Sequence, residues 1–427
     1  MVGFTPALLA LGAALVCCPN NAWRLTANVG TSDLFFALSL ALLLAERAYL
    51  RLPIFIPSKM GLSLILVVGC GLVTPFTHPY SQDFADNLLN LGKFAISAFV
   101  IPLTFYWQRI HSHRQLSFLA LAYSAGAMIG VTATLARKHG ISLPAPFVAS
   151  VSHFGRVEGL TLHSNMVGLF SALAIPYLIY FVVTLRRTLL RLAFGLAILP
   201  VLDVVNLSGS RAALIASLFG LALMGWLATS RVARRTYVLL TFGVIAVLGA
   251  GIYLAIPSGD GYQLTAADRL FSDAPESDVS KSDAVRAGKL ETALDQIIAS
   301  PIYGNGYVDV LTSHDIYLEL LVAGGVLTIV ALSLYAWCGV EFYWRARQVT
   351  GLPWQVQFLM YTALAALAMW LVDGAKQNFL IERSPYVGLG MFLATARFII
   401  GMRQQSAPQP LVQRAARSPG IGAISAK

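Results

Sequence analysis

The feature that most constrains this chain is a series of long apolar runs almost free of charge. A helical run of about 17–25 such residues matches the hydrocarbon thickness of a bilayer, and a helix satisfies its own backbone polar groups there. Twelve runs can be marked, over 4–18, 33–45, 60–76, 88–107, 116–135, 165–185, 192–207, 212–228, 237–256, 316–340, 356–372 and 386–400, the first two being the shortest. Of the 427 residues, 57% are apolar and 12% charged. Soluble domains carry roughly 25% charged residues, so this chain is too poor in charge to cover a water-facing surface. The expected fold is all-α, a polytopic integral membrane protein of about twelve transmembrane helices. A single membrane domain covers 1–403, and a polar tail over 404–427, containing Pro and Arg, is expected to be disordered.

Basic residues accumulate in short cytoplasmic loops. With the N-terminus inside, the even-numbered gaps carry Arg47, Arg51 and Lys59, then Arg109 and Arg114, then Arg186, Arg187 and Arg191. Arg231, Arg234 and Arg235 follow, then Arg345 and Arg347, then the tail with Arg403, Arg414, Arg417 and Lys427. Only Glu46 and Glu341 oppose them. Both termini are therefore expected in the cytoplasm. The net charge of +10 is explained by topology, without recourse to nucleic acid. The N-terminal run lacks the positive flank of a signal peptide and is read as the first membrane helix. Cys17, Cys18, Cys70 and Cys338 all lie in apolar runs and read as small core residues.

One long external segment remains, 257–315, with ten acids against Arg269, Lys281, Arg286 and Lys289. Within it 264–275 reads as irregular and 277–282 as polar loop. Leu290, Leu294, Ile297 and Ile298 then recur at helical spacing, with Pro301 and Gly304 closing a short amphipathic helix over the external face. A second external loop, 136–164, holds Arg137, Lys138, His153, Arg156, Glu158 and His163.

External basic residues run against the topology bias, so each needs a reason. Arg211 follows Ser208-Gly209-Ser210 in a short break between two apolar runs, where an arginine is costly without an anionic partner. The plain alternative is an interfacial anchor or a structural pair with Asp203. Arg156 and Arg286, taken singly, read as solvated loop charges. Together, three arginines beside helix ends on one face can hold a diphosphate, because a guanidinium pairs bidentately with phosphate oxygens and stays charged. His314, just before the tenth run, can take a proton from a hydroxyl nucleophile, although a lone interfacial histidine is more often a polar cap. Asp315 reads as the N-cap. The acids Asp273, Asp278 and Asp283 lack metal-loop spacing, no Asp-x-Asp pair or Cys/His cluster is present, and Gly304-Asn305-Gly306 reads as a turn.

These residues form a pattern that resembles the O-antigen ligase / O-antigen polymerase family of bacterial membrane glycosyltransferases, over most of the chain. It comprises Arg286-Ala-Gly-Lys-Leu290, Pro301-Ile-Tyr-Gly304-Asn-Gly306, and His314-Asp315 with nine residues to Gly325 and then Thr328. The family's ligases have Arg-x3-Leu in the large periplasmic loop, and His followed by an amide or hydroxyl, nine residues, then Gly-x-x-[Gly/Thr/Tyr]. This chain departs by carrying Asp315, which puts the local hydrogen bonding of His314 in question. Arg211 after Ser-Gly-Ser, and Arg156 with Asn165, resemble the family's other external motifs more loosely.

The resemblance implies a polyprenyl (undecaprenyl) diphosphate-linked saccharide donor, transfer at the periplasmic face of the inner membrane, and no metal or cofactor. The implied acceptor is lipid A-core for a ligase, or a second lipid-linked glycan for an O-antigen or exopolysaccharide polymerase. In this reading Arg211 and Arg286 stabilise the leaving diphosphate with help from Arg156. His314 orients or deprotonates the acceptor hydroxyl, the anomeric centre inverts, and Glu158 and Asp315 support the site. The Arg286 and His314 motifs lean towards ligase. A transporter of an anionic substrate is the rival class, but repeated halves and mid-membrane charges are its marks and neither is evident. A non-catalytic scaffold for glycan assembly is a third reading.

Overall fold

A computed structural model describes residues 3–20, 22–23, 29–77, 84–151, 156–161, 163–229, 265–266, 276–307, 315–376 and 382–406. Thirteen helices can be traced among them. The first three are α1 (Pro6–Cys17), α2 (Thr31–Tyr49) and α3 (Ser58–Thr77). Next, α4 (Phe84–Ala95) continues through a π turn over Ile96–Val100 into α5 (Ile101–Trp107). Then come α6 (His113–Lys138), α7 (Ser164–Thr184), α8 (Thr188–Leu207) and α9 (Arg211–Thr229). The last four are α10 (Glu276–Ala299), α11 (Ile316–Arg347), α12 (Trp354–Gly374) and α13 (Ser384–Ser406). Among the described residues the only strands are β1 (Ser150–Val151) and β2 (Val157–Gly159), an antiparallel pair between α6 and α7.

Eight helical segments are long and apolar enough to cross a membrane: Phe84–Trp107, His113–Lys138, Ser164–Thr184, Thr188–Leu207, Arg211–Ala228, Ile316–Arg347, Trp354–Gly374 and Ser384–Arg403. Each coincides with an expected run, and the chain is a multi-pass, all-α membrane protein. The expected run at 4–18 is a helix of 12 residues, about 18 Å at 1.5 Å per residue and short of a span. The run at 33–45 lies within α2, whose 19 residues include Asp33, Glu46 and Arg47. The run at 60–76 lies within α3, and that at 237–256 falls outside the described residues.

Lipid is as apolar as leucine, so close packing and interhelical hydrogen bonds, more than hydrophobicity, hold such helices together. α7 is enclosed on nearly every side, packing on α8, α12, α6 and α9. α1 meets α6 so closely at Gly126 that a Cβ there would lie 2.3 Å from the Val16 carbonyl oxygen, and Asn20 donates to the Gly126 carbonyl at 3.0 Å. The π turn also has a local cause. Pro102 has no N–H for the Ala98 carbonyl one turn back, and the Tyr335 hydroxyl of α11 donates to it at 2.6 Å.

Two ends of the bundle can be told apart. At one, Arg47 donates to the carbonyls of Pro53 and Trp107, Arg109 pairs with Glu46 at 3.0 Å, and Glu341 receives Lys59 and Arg345. Arg397 donates to the Tyr106 carbonyl there. The other end carries the α8–α9 turn, Arg156 and Arg211.

Two sequence expectations are corrected. Asp203 was the suggested partner of Arg211; its carboxylate instead receives Lys138 at 3.2 Å, joining the end of α6 to α8. The stretch 277–282 was read as polar loop, but it lies inside α10, which starts at Glu276. Polarity does not exclude a helix. Glu276 and Asp278 favour its N-terminus through the helix dipole, and helical backbone is disfavoured just before Pro301, where α10 gives out.

Candidate functional site

At the Arg211 end, α11 is broken. Gly325 adopts φ 59°, ψ −158°, a conformation that only glycine holds readily. The break opens two helical hydrogen bonds, Val322 to Val326 and Ala323 to Leu327. The segment after α10 closes all four groups. Asn305 N donates to the Val322 carbonyl at 2.6 Å and Gly306 N to the Ala323 carbonyl at 3.0 Å. Val326 N donates to the Pro301 carbonyl at 2.9 Å and Leu327 N to the Ile302 carbonyl at 3.4 Å. Buried backbone polar groups must be paired, so the loop and the broken helix require each other.

The glycines follow from this contact. A Cβ at Gly325 would lie 2.4 Å from the Ile302 carbonyl, one at Gly304 2.4 Å from Gly324 N, and one at Gly324 1.8 Å from the Thr328 hydroxyl. On its other side the loop is held by α4. Asn87 accepts from Tyr307 N at 2.6 Å and Asn90 donates to the Tyr307 carbonyl at 2.8 Å, while the buried Tyr307 ring stacks on Phe94. Asn87 and Asn90, three residues apart at the start of an apolar run, were the sequence signal for this dock.

The second part of the site is the α8–α9 turn. Gly209 turns the chain with φ 64°, and the Ser210 hydroxyl caps α9 by accepting from Ala213 N at 3.3 Å. Arg211 is therefore the first residue of α9, at the positive end of its dipole, a position suited to anions. Arg156 is tied to the same turn. Its Nε and Nη2 donate to the Ser208 carbonyl at 2.9 and 2.7 Å, and Nη2 donates to Asn165 Oδ1 at 2.6 Å. It was expected to bind a diphosphate; the structure spends these donors on the C-terminus of α8 and the first turn of α7. Ala266 N donates to the Asn206 carbonyl at 2.9 Å, so the chain at Ala266 also meets this turn.

His163 caps α7, its Nδ1 accepting from Asn165 N at 3.2 Å. Desolvation of the imidazole, and then the neighbouring Arg156 charge, hold it below its ordinary pKa. Glu158 lies in β2, and its carbonyl receives the Thr161 hydroxyl at 2.6 Å. Asp315 caps α11, accepting from Tyr317 N at 2.8 Å and Leu318 N at 3.2 Å. Its carboxylate thus serves the helix end. Arg286 lies in the backbone of α10, and His314 falls outside the described residues.

Two residues at this end were not singled out from the sequence. Asp373, at the end of α12, is fully buried, with no hydrogen-bond partner for its carboxyl oxygens among the described residues. A Cβ on its neighbour Gly374 would lie 3.0 Å from Ile316, and the Tyr317 hydroxyl donates to the Leu371 carbonyl at 2.7 Å, so Asp373 sits where α12 meets the start of α11. An ionisable group buried in a membrane helix is a functional candidate; a single acid ending an apolar run was its sequence signal. Arg383, at the same end, pairs bidentately with Asp33 at 2.7 and 2.8 Å, latching α13 to α2. Neither protein-family models nor curated protein sequences match the chain.

Proposed function

We propose that the chain is a glycosyltransferase of the O-antigen ligase and polymerase type, with ligase the preferred form. It moves a glycan from a polyprenyl diphosphate-linked donor onto an acceptor hydroxyl at the periplasmic face of the bacterial inner membrane, with both termini in the cytoplasm. One observation carries the reading. Pro301, Gly304, Gly306, Gly325 and Thr328, which the resemblance picks out in sequence, belong to one interlocked unit, and that unit joins the helix bearing Arg286 to the segment bearing His314.

The acceptor oxygen attacks the anomeric carbon from the side opposite the diphosphate. The carbon–oxygen bond to the diphosphate breaks, the leaving group keeps the electron pair, and the configuration inverts. His314 receives the acceptor's proton. Arg211 and Arg286 stabilise the charge growing on the diphosphate, the kind of term that preorganised donors supply; the helix N-terminus under Arg211 adds to it. Arg156 acts on this reaction through the α8–α9 turn, as a positioning residue. Asp315 fixes the start of the helix that follows His314.

The test supplies purified protein with polyprenyl diphosphate oligosaccharide, with and without lipid A-core, and follows the glycan on a gel. Glycan transferred to core is the expected product. Lengthened lipid-linked glycan assigns the polymerase reaction instead, and neither product from folded protein overturns the enzyme reading. In cells, Arg286→Ala and His314→Ala should abolish the glycan at unchanged protein level.

A further inference from the structure

Helix α10 exposes an apolar stripe, and we propose that the outer-leaflet lipid covers it, so that the helix lies in the membrane interface beside the bundle. The described part of the helix divides into three sectors. Ala293 is buried and Gln296 and Ile297 half-buried, on the side towards α11. Leu290, Leu294 and Ile298 are 43%, 46% and 76% exposed, and at 3.6 residues per turn they fall within about 80° of one another. Glu291, Thr292 and Asp295, next around the helix, are exposed and polar. A helix set where protein, lipid and water meet has this order of faces. A helix standing free in water has no use for the middle one.

The stripe is also continuous with the surface that faces lipid. Beyond α10 it runs on through Ile302 and Tyr303, both exposed, and the backbone of Pro301 and Ile302 is bonded to Val326 and Leu327 of the membrane-spanning α11. Val326 and Val330 of that helix are exposed apolar residues in turn. An apolar face flanked by a charged one is the pattern of helices that lie in the headgroup and acyl boundary.

Arg286 lies seven residues, about two turns, before Ala293 in the backbone of α10. Lipid contact along the stripe thus sets this position at headgroup height, where a lipid-linked diphosphate sits. That bearing on Arg286 rests on the glycosyl-transfer reading; the lipid contact does not.

The test places the full-length protein in nanodiscs of phosphatidylethanolamine and phosphatidylglycerol, with Leu294→Cys, Ile298→Cys, Thr292→Cys or Asp295→Cys labelled with an environment-sensitive fluorophore. Labelling of the parent protein, with its own cysteines, sets the background. Probes at Leu294 and Ile298 should emit to the blue of those at Thr292 and Asp295, and lipids spin-labelled near the headgroup should quench them about twofold or more strongly. Equal emission and quenching at all four positions overturns the proposal. Blue-shifted emission without lipid quenching also overturns it, since another protein surface then covers the stripe. Fluorescence reads the contact whether or not the protein transfers glycan, so failure here is separable from failure of the enzymatic reading.

Discussion

Arg156 and Arg211 looked equivalent in the sequence, two arginines on the wrong side of a membrane protein. The structure separates them by their place: Arg156 bridges two helices, and Arg211 begins α9. Arg156 bonds Asn165 at the start of α7 and the Ser208 carbonyl at the end of α8, the latter 52 residues away. Hydrogen bonds to charged groups contribute roughly 1.5–3 kcal/mol each, so Arg156→Ala should lower stability by about 2–3 kcal/mol, read as a lower Tm in detergent. Arg211 is the first residue of α9. Arg211→Ala should abolish transfer in folded protein, and Arg211→Lys should restore little of it, because one ammonium cannot replace a bidentate fork. His163 makes a different prediction. Its folded pKa lies below the unfolded value of about 6.5, so the unfolded chain binds more protons between those values. Stability is present above about pH 6.5 and falls with pH down to the lowered folded pKa. His163→Asn keeps a capping acceptor that does not titrate, and should narrow the Tm difference between about pH 7.5 and 5.5.

Among the elements, the apolar runs were legible and the breaks in them were not. A hydropathy run records that a segment is helical and buried in lipid, since that depends on its own residues. The discontinuity in α11 depends on a partner, the loop 301–307, that replaces the hydrogen bonds it gives up. Gly325 could be read from the sequence as a motif residue; the conformation that demands it could not. Gly325→Ala meets both a glycine-only backbone and the Ile302 carbonyl, and should cost about 3 kcal/mol or more, seen as loss of folded protein. Gly92→Ala in α4, with open space around its Cβ, should be neutral or stabilise by about 0.5–1 kcal/mol. Similar losses from the two substitutions would show that the interlock is not a structural element. The reach of α10 escaped the sequence reading because its first turns are polar, and polarity says where a helix lies more than whether it forms.

For the molecule as a whole, charge and direction agree. Among the described residues, Arg47, Arg109 and Arg345 gather at one end, and Arg156 and Arg211 at the other. Placed in cells with that basic end inside, Gln348→Cys should resist a membrane-impermeant maleimide until the cells are opened, whereas Lys376→Cys should label in intact cells. The reverse pattern would put Arg211 on the face away from lipid-linked glycans and remove the proposed reaction. By itself the sequence determined that this protein lives in a membrane, which stretches are apolar enough to enter it, and which arginines run against the topology bias. Each of these is a contest between a short stretch of chain and the bilayer, decided by local composition. Only the tertiary structure decided what Arg156 holds together, why α11 breaks, and where Asp373 is buried. Those outcomes turn on partners far away along the chain, because a hydrogen bond in lipid is decided by what lies opposite.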